Sequence, residues 1–161
     1  MASEEKTFTC IARNEADSDK LGQALAELLP DGAVVALIGT LGAGKTRLVQ
    51  AVAAASGVPK SAVSSPTFVL IHEYDEGDRP IYHFDAYRLD DEESFLKLGA
   101  EEYFEGFGLS FIEWADKIPH AMPENHIEIQ IDILGNSERR FRISVRGNCY
   151  NDFLEQIAKK F

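Results

Sequence analysis

A chain of 161 residues, 45% hydrophobic and 27% charged, has the size and composition of one globular domain able to bury a core without staples. No apolar run approaches the roughly 20 residues a membrane helix needs, and the start MASEEKTFTC lacks the apolar stretch of a secretory signal, so a cytoplasmic protein with no membrane partner is expected. The net charge of −11 argues against tight, unaided binding to a phosphate backbone.

Residues 6–12, KTFTCIA, alternate and predict a strand. Residues 14–29 place Ala16, Leu21, Leu25, Leu28 and Leu29 near helical spacing, and Pro30, Asp31 and Gly32 stop the helix. AVVALIG is nearly continuous in apolar residues, the pattern of a strand buried on both faces. A glycine-rich loop follows, then a helix predicted over residues 45–56 and closed by Gly57. VSSPTFVLIHEY continues as an extended stretch after Ser65-Pro66, and EGDRP forms a hairpin turn into IYHFDAY. Asp90 or Asp91 caps a helix reaching Lys97, and a second helical piece covers residues 100–105. GLSFIEW is a short apolar strand containing an acid near its end. HIEIQIDIL and RRFRISVR alternate around GNSE as an antiparallel hairpin, and residues 151–161 form a closing helix. No internal repeat or Pro/Gly/Ser-rich linker interrupts the chain, so residues 1–161 are expected to form a single domain. The predicted class is α/β, a mixed sheet with a parallel core and antiparallel hairpins flanked by helices.

The loop GTLGAGKT fits G-x-x-x-x-G-K-[ST], the pattern that wraps nucleotide phosphates. A chance match in a chain of this length is roughly one in several hundred at average residue usage, and here a strand precedes it and a helix follows. Glycines let backbone N–H groups point inward at phosphate oxygens where a Cβ would intrude. The helix adds its unpaired N–H groups and positive dipole end. Lys45 would reach the β- and γ-phosphates, and the Thr46 hydroxyl would ligate Mg²⁺. A second oxygen ligand is expected from an acid at the carboxyl end of a neighbouring strand, directly or through water. Both Asp85, ending IYHFD, and Glu113, ending LSFIE, qualify. Thr67 in SSPTF is a candidate sensor of the γ-phosphate side of Mg²⁺. His83 beside Asp85 is either a proton relay or a packed, hydrogen-bonded strand residue. His72, His120 and His126 carry no signal. Cys10 and Cys149 are isolated and read as idle thiols.

In order and spacing, GTLGAGKT, SSPTF, HFDAYRL and IEWADK resemble the bacterial TsaE (YjeE) family over nearly the whole chain. The phosphate loop is shared by many families; HFD-x-YRL and the EW pair are far more specific. The resemblance implies a small ATP- and ADP-binding P-loop ATPase with Mg²⁺, required for threonylcarbamoyladenosine at position 37 of tRNAs that read ANN codons. It implies work with the TsaB–TsaD complex, with tRNA met only through that complex, and turnover that is weak alone and dependent on the partners. On this analogy Gly39, Thr40, Leu41, Gly42, Ala43, Gly44, Lys45 and Thr46 hold the nucleotide. Thr67 then lies in a switch-like loop, Asp85 and Glu113 form the acidic pair, and Trp114 stands beside the nucleotide. Members commonly read G-D-L-G-A-G-K-T, whereas this chain has Thr40 in place of that Asp, which leaves open any part a carboxylate plays there.

Two other functions remain open from the residues alone: a small-molecule kinase and a nucleotide-gated binding module with negligible turnover. A kinase needs an arginine-bearing lid over the transferred phosphate, and the basic cluster at residues 139–146 falls on a hairpin read as remote from the site. Charge is unevenly spread. Residues 73–105 carry twelve acids against Arg79, Arg88 and Lys97, while six bases face Asp152 and Glu155 from residue 139 onward. The acidic middle is either a solvated face or a docking surface for a basic partner.

Overall fold

A computed structural model describes residues 6–67 and 69–161. The core is a sheet of seven strands in the order β1-β7-β6-β2-β5-β4-β3. These strands are β1 Thr7–Ala12, β2 Val34–Ile38, β3 Ile71–Tyr74, β4 Ile81–Asp85, β5 Leu109–Glu113, β6 His126–Ile133 and β7 Arg139–Arg146. Strand β2 runs parallel to both β5 and β6, and β4 runs parallel to β5. The pairs β3/β4, β6/β7 and β1/β7 are antiparallel. The sheet is thus mixed, with a parallel centre and antiparallel margins, as the patterning predicts.

The α-helices among the described residues are α1 Glu15–Leu28, α2 Lys45–Ala55, α3 Glu92–Leu96, α4 Ala100–Glu105 and α5 Asn151–Lys159. The Asn14 side chain caps α1 by accepting from Asp17 N, and Asp91 caps α3 by accepting from Ser94 N. Helices α1, α2 and α5 bury Leu21, Leu48, Val52 and Ile157 on one face of the sheet against Val35, Leu37 and Phe111. The other face holds a smaller core of Val34, Ala36, Phe84, Phe95 and Ile112. Because β2 is covered on both sides, it needs the unbroken apolar run seen in its sequence. Helix α1 packs against α2 at Gly22, where an added Cβ would come within 2.3 Å of the Ala51 Cβ.

Several boundaries differ from the sequence reading. Helix α3 ends at Leu96 with Lys97 as its cap, because Gly99 turns into the left-handed region at φ 81°. Strand β5 stops at Glu113, since Trp114 leaves it with φ 61°, and α5 stops at Lys159. The extended stretch expected after Ser65-Pro66 becomes strand only at Ile71, and its Phe68 lies outside the described residues. No helix among the described residues is long and apolar enough to cross a membrane.

Candidate active site

Parallel pairing puts the carboxyl ends of β2, β5 and β4 at one edge of the sheet. Leu37 pairs with Glu113, and Asp85 pairs with Glu113, so the glycine loop and both strand-end acids emerge side by side. In α/β sheets this edge is where ligands bind.

The loop needs its glycines for identifiable reasons. Gly42 and Gly44 take φ of 81° and 109°, the left-handed region that side chains disfavour. At Gly39 an added Cβ would come within 2.9 Å of the Ile131 carbonyl oxygen. Leu41, at the loop's tip, is 86% exposed. Lys45 is only 5% exposed. Its Nζ donates to the carbonyls of Gly39 at 2.6 Å and Thr40 at 3.2 Å, and lies 3.8 Å from the centre of the Trp114 ring. Burial pulls the Lys45 ammonium below its ordinary pKa, while the charges of Glu113, Asp85 and Asp116 oppose the shift.

The two acids make different contacts. Thr46 Oγ1 donates to Glu113 Oε2 at 2.7 Å, and both side chains line a cleft of about 250 Å³ with Lys45, Thr67 and Trp114. Asp85 is not among the residues lining that cleft. Its Oδ2 accepts from Thr67 at 2.9 Å and Ser65 at 3.3 Å, and its Oδ1 accepts from Tyr87 N at 2.8 Å. Asp85 therefore sits one layer back and fixes the loop that carries Thr67. Both carboxyls are buried, Asp85 at 1% exposure and Glu113 at 4%.

His83 turns toward Glu113 rather than Asp85, with Nε2 2.5 Å from Glu113 Oε2. His72 contacts Tyr74 and the Ser64 carbonyl. Trp114 lies just past β5, whose last residue is Glu113. Its left-handed backbone ends the strand there, and the ring joins Glu113 in the cleft and packs 4.9 Å from the Tyr87 ring. Such a conformation costs a bulky residue about 1–3 kcal/mol and needs its surroundings to hold it.

One residue was missed by reading along the chain. Arg139 opens the basic hairpin that looked remote, yet its Nε donates to the Ala43 carbonyl at 2.9 Å and its Nη2 to that of Gly42 at 3.4 Å. The reason is β6: it runs parallel to β2, so the turn into β7 emerges beside the glycine loop. Arg139, Asn136 and Ser137 wall a second cleft of about 250 Å³ on the loop's other flank, reaching Glu15 and Ser18 of α1. No local spacing could have revealed this approach.

Comparison with known proteins agrees with this architecture. Residues 12–141 match the model of the family described as threonylcarbamoyl adenosine biosynthesis protein TsaE. A Bacillus subtilis protein named tRNA threonylcarbamoyladenosine biosynthesis protein TsaE is 36% identical over 146 residues, covering 91% of this chain and 90% of that protein. Proteins of the same name from Treponema pallidum and Nostoc are 35% and 41% identical, covering 84% and 77% of this chain and 98% and 77% of their own lengths. The crystal structure of Bacillus subtilis YdiB superposes with a TM-score of 0.83 at 30% identity, over 99% of both chains.

Proposed function

The chain belongs to the TsaE family, and from that premise we propose that it is a magnesium-dependent ATPase serving threonylcarbamoyladenosine modification of tRNA at position 37. It acts on or with the TsaB–TsaD complex and meets tRNA through that complex. The observation that carries this reading is the 2.7 Å hydrogen bond from Thr46 in the glycine loop to Glu113 at the end of β5, beside a buried Lys45. A structural glycine turn needs neither an acid nor a lysine aimed at its interior.

The loop amides and the first turn of α2 cradle the phosphates. Lys45 exchanges the Gly39 and Thr40 carbonyls for β- and γ-phosphate oxygens. The hard oxygen donors of Thr46 and Glu113 suit Mg²⁺, which keeps waters and phosphates in its shell and asks the protein for one or two ligands. When bound there, Mg²⁺ would supply charge neutralisation to the transferred phosphate. Asp85 contributes through Thr67, whose hydroxyl it holds at the cleft wall. The nucleoside end is read into the second cleft, where Asn136 and Ser137 offer polar atoms.

The direct test measures ATP hydrolysis by the chain alone and with TsaB–TsaD added. Low turnover that rises on adding the complex is expected. Phosphoryl transfer to an acceptor by the chain alone would make it a kinase, and nucleotide-dependent binding without turnover would make it a gated module; either result overturns the ATPase reading.

Trp114 supplies a second check. Its ring faces the Lys45 ammonium at 3.8 Å, and the two part when that charge turns to phosphate. As the chain's single tryptophan, it should report ADP or ATP binding as a saturable fluorescence change that disappears in Lys45→Ala. A flat trace, with binding established by calorimetry, would contradict the exchange of Lys45 partners.

A further inference from the structure

Behind Glu113 a chain of buried polar groups leads away from the cleft. His83, in β4, is fully buried. Its Nε2 lies 2.5 Å from Glu113 Oε2, the same oxygen that accepts from Thr46. Its Nδ1 lies 3.4 Å from the Tyr74 hydroxyl. That hydroxyl donates to the Ser64 carbonyl oxygen at 3.3 Å and lies 3.1 Å from His72 Nδ1, and burial raises its pKa, so it stays protonated. The strand pairing sets His83 opposite Phe111, not Glu113, so the imidazole reaches diagonally along β5 to the acid. Packing alone does not require this: Ile81, two residues earlier on the same face, fills its place with an apolar side chain.

An ionised carboxylate only accepts hydrogen bonds, so the hydrogen of the His83–Glu113 contact rides on Nε2. On that ring Nδ1 faces the Tyr74 hydroxyl at 3.4 Å, whose single hydrogen is directed to the Ser64 carbonyl, so the short Nε2 contact is the one that fixes the ring. Glu113, by contrast, carries a flexible side chain that must hold one orientation beside Thr46. We propose that His83 is a positioning residue: its Nε2–H holds the Glu113 carboxylate against Thr46, presetting the oxygen pair for a divalent cation. The proposal rests on the nucleotide-and-magnesium reading above. Outer-shell partners of this kind fix the geometry of a ligating carboxylate, and their loss typically weakens metal affinity about 10- to 100-fold.

The test compares binding of a non-hydrolysable ATP analogue by calorimetry, with Mg²⁺ and with EDTA, in the parent, His83→Asn and His83→Gln. Asn loses the atom that reaches Glu113; Gln places an amide N–H near that position. Expected for His83→Asn is a fall of about 10- to 100-fold in the gain in affinity conferred by Mg²⁺, with metal-free affinity and melting temperature near the parent's. His83→Gln should recover most of that gain. A purely structural histidine would instead lower melting temperature and metal-free affinity in both variants and leave the Mg²⁺-dependent gain intact, which overturns the proposal. Should the variants fail to fold, NMR of the ring nitrogens in the parent decides. An Nε2–H tautomer whose resonance moves on adding Mg²⁺ and the analogue supports the role; an unprotonated or unmoved Nε2 overturns it. A parent that gains no affinity from Mg²⁺ removes the magnesium reading itself, and this proposal with it.

Discussion

Lys45→Ala is expected to abolish ATP hydrolysis and to weaken ATP binding about 10- to 100-fold, the worth of one hydrogen bond to a charged group at about 1.5–3 kcal/mol. Lys45 is held by two backbone carbonyls and the Trp114 ring. An aromatic face contributes about 0.5–2 kcal/mol to a cation, so a polyphosphate carrying several negative charges competes well for the same ammonium. The methyl group of alanine offers nothing to the developing charge of phosphoryl transfer, where preorganised cations matter most. The loss should therefore be larger in turnover than in binding. Melting temperature must be followed alongside, because the Lys45 contacts also tie the loop to itself. A folded Lys45→Ala protein with parental turnover would refute the phosphate-loop assignment.

Glu113→Gln should cut partner-stimulated turnover by about 10²-fold or more, the scale seen when a preorganised electrostatic group is removed, with a smaller effect on ATP affinity. Glutamine keeps the size of the side chain and an oxygen able to accept from Thr46 and His83, so the change isolates the charge. Asp85→Asn should also lower turnover, by a smaller factor, because Asp85 reaches the cleft through Ser65 and Thr67. The two variants should separate in calorimetry: Glu113→Gln loses Mg²⁺-dependent affinity, and Asp85→Asn largely keeps it. If Asp85→Asn shows the greater Mg²⁺ defect, the order of the two acids is reversed. If Glu113→Gln turns over ATP at the parental rate with the partners present, Glu113 has no part in the reaction.

Local chemistry carries far in this chain. The glycine loop is recognisable because its conformation is set within eight residues, by positions that must adopt left-handed backbone or admit a close neighbour, as at Gly39, Gly42 and Gly44. The strands and longer helices follow from period and capping, as with Asn14 before α1 and the unbroken apolar run of β2. Asp85 and Glu113 could be picked out because an acid ending a short apolar strand is placed by the strand itself. The resemblance through HFDAYRL and IEWADK pointed to the family that residues 12–141 match.

What reading along the chain left undecided depends on pairing across it. The sequence by itself determined that a phosphate-loop pattern, a mixed α/β sheet and two strand-end acids are present, since each is written in neighbouring residues. Only the tertiary structure decided that Glu113, and not Asp85, bonds to Thr46, that His83 contacts Glu113 rather than the acid two residues away, and that Arg139 comes back to the loop from 96 residues along. The physical reason is register. Parallel strands paired at Leu37–Glu113 and Asp85–Glu113 bring distant positions level, and buried rotamers then choose which carboxyl meets which donor, a choice that no local spacing encodes.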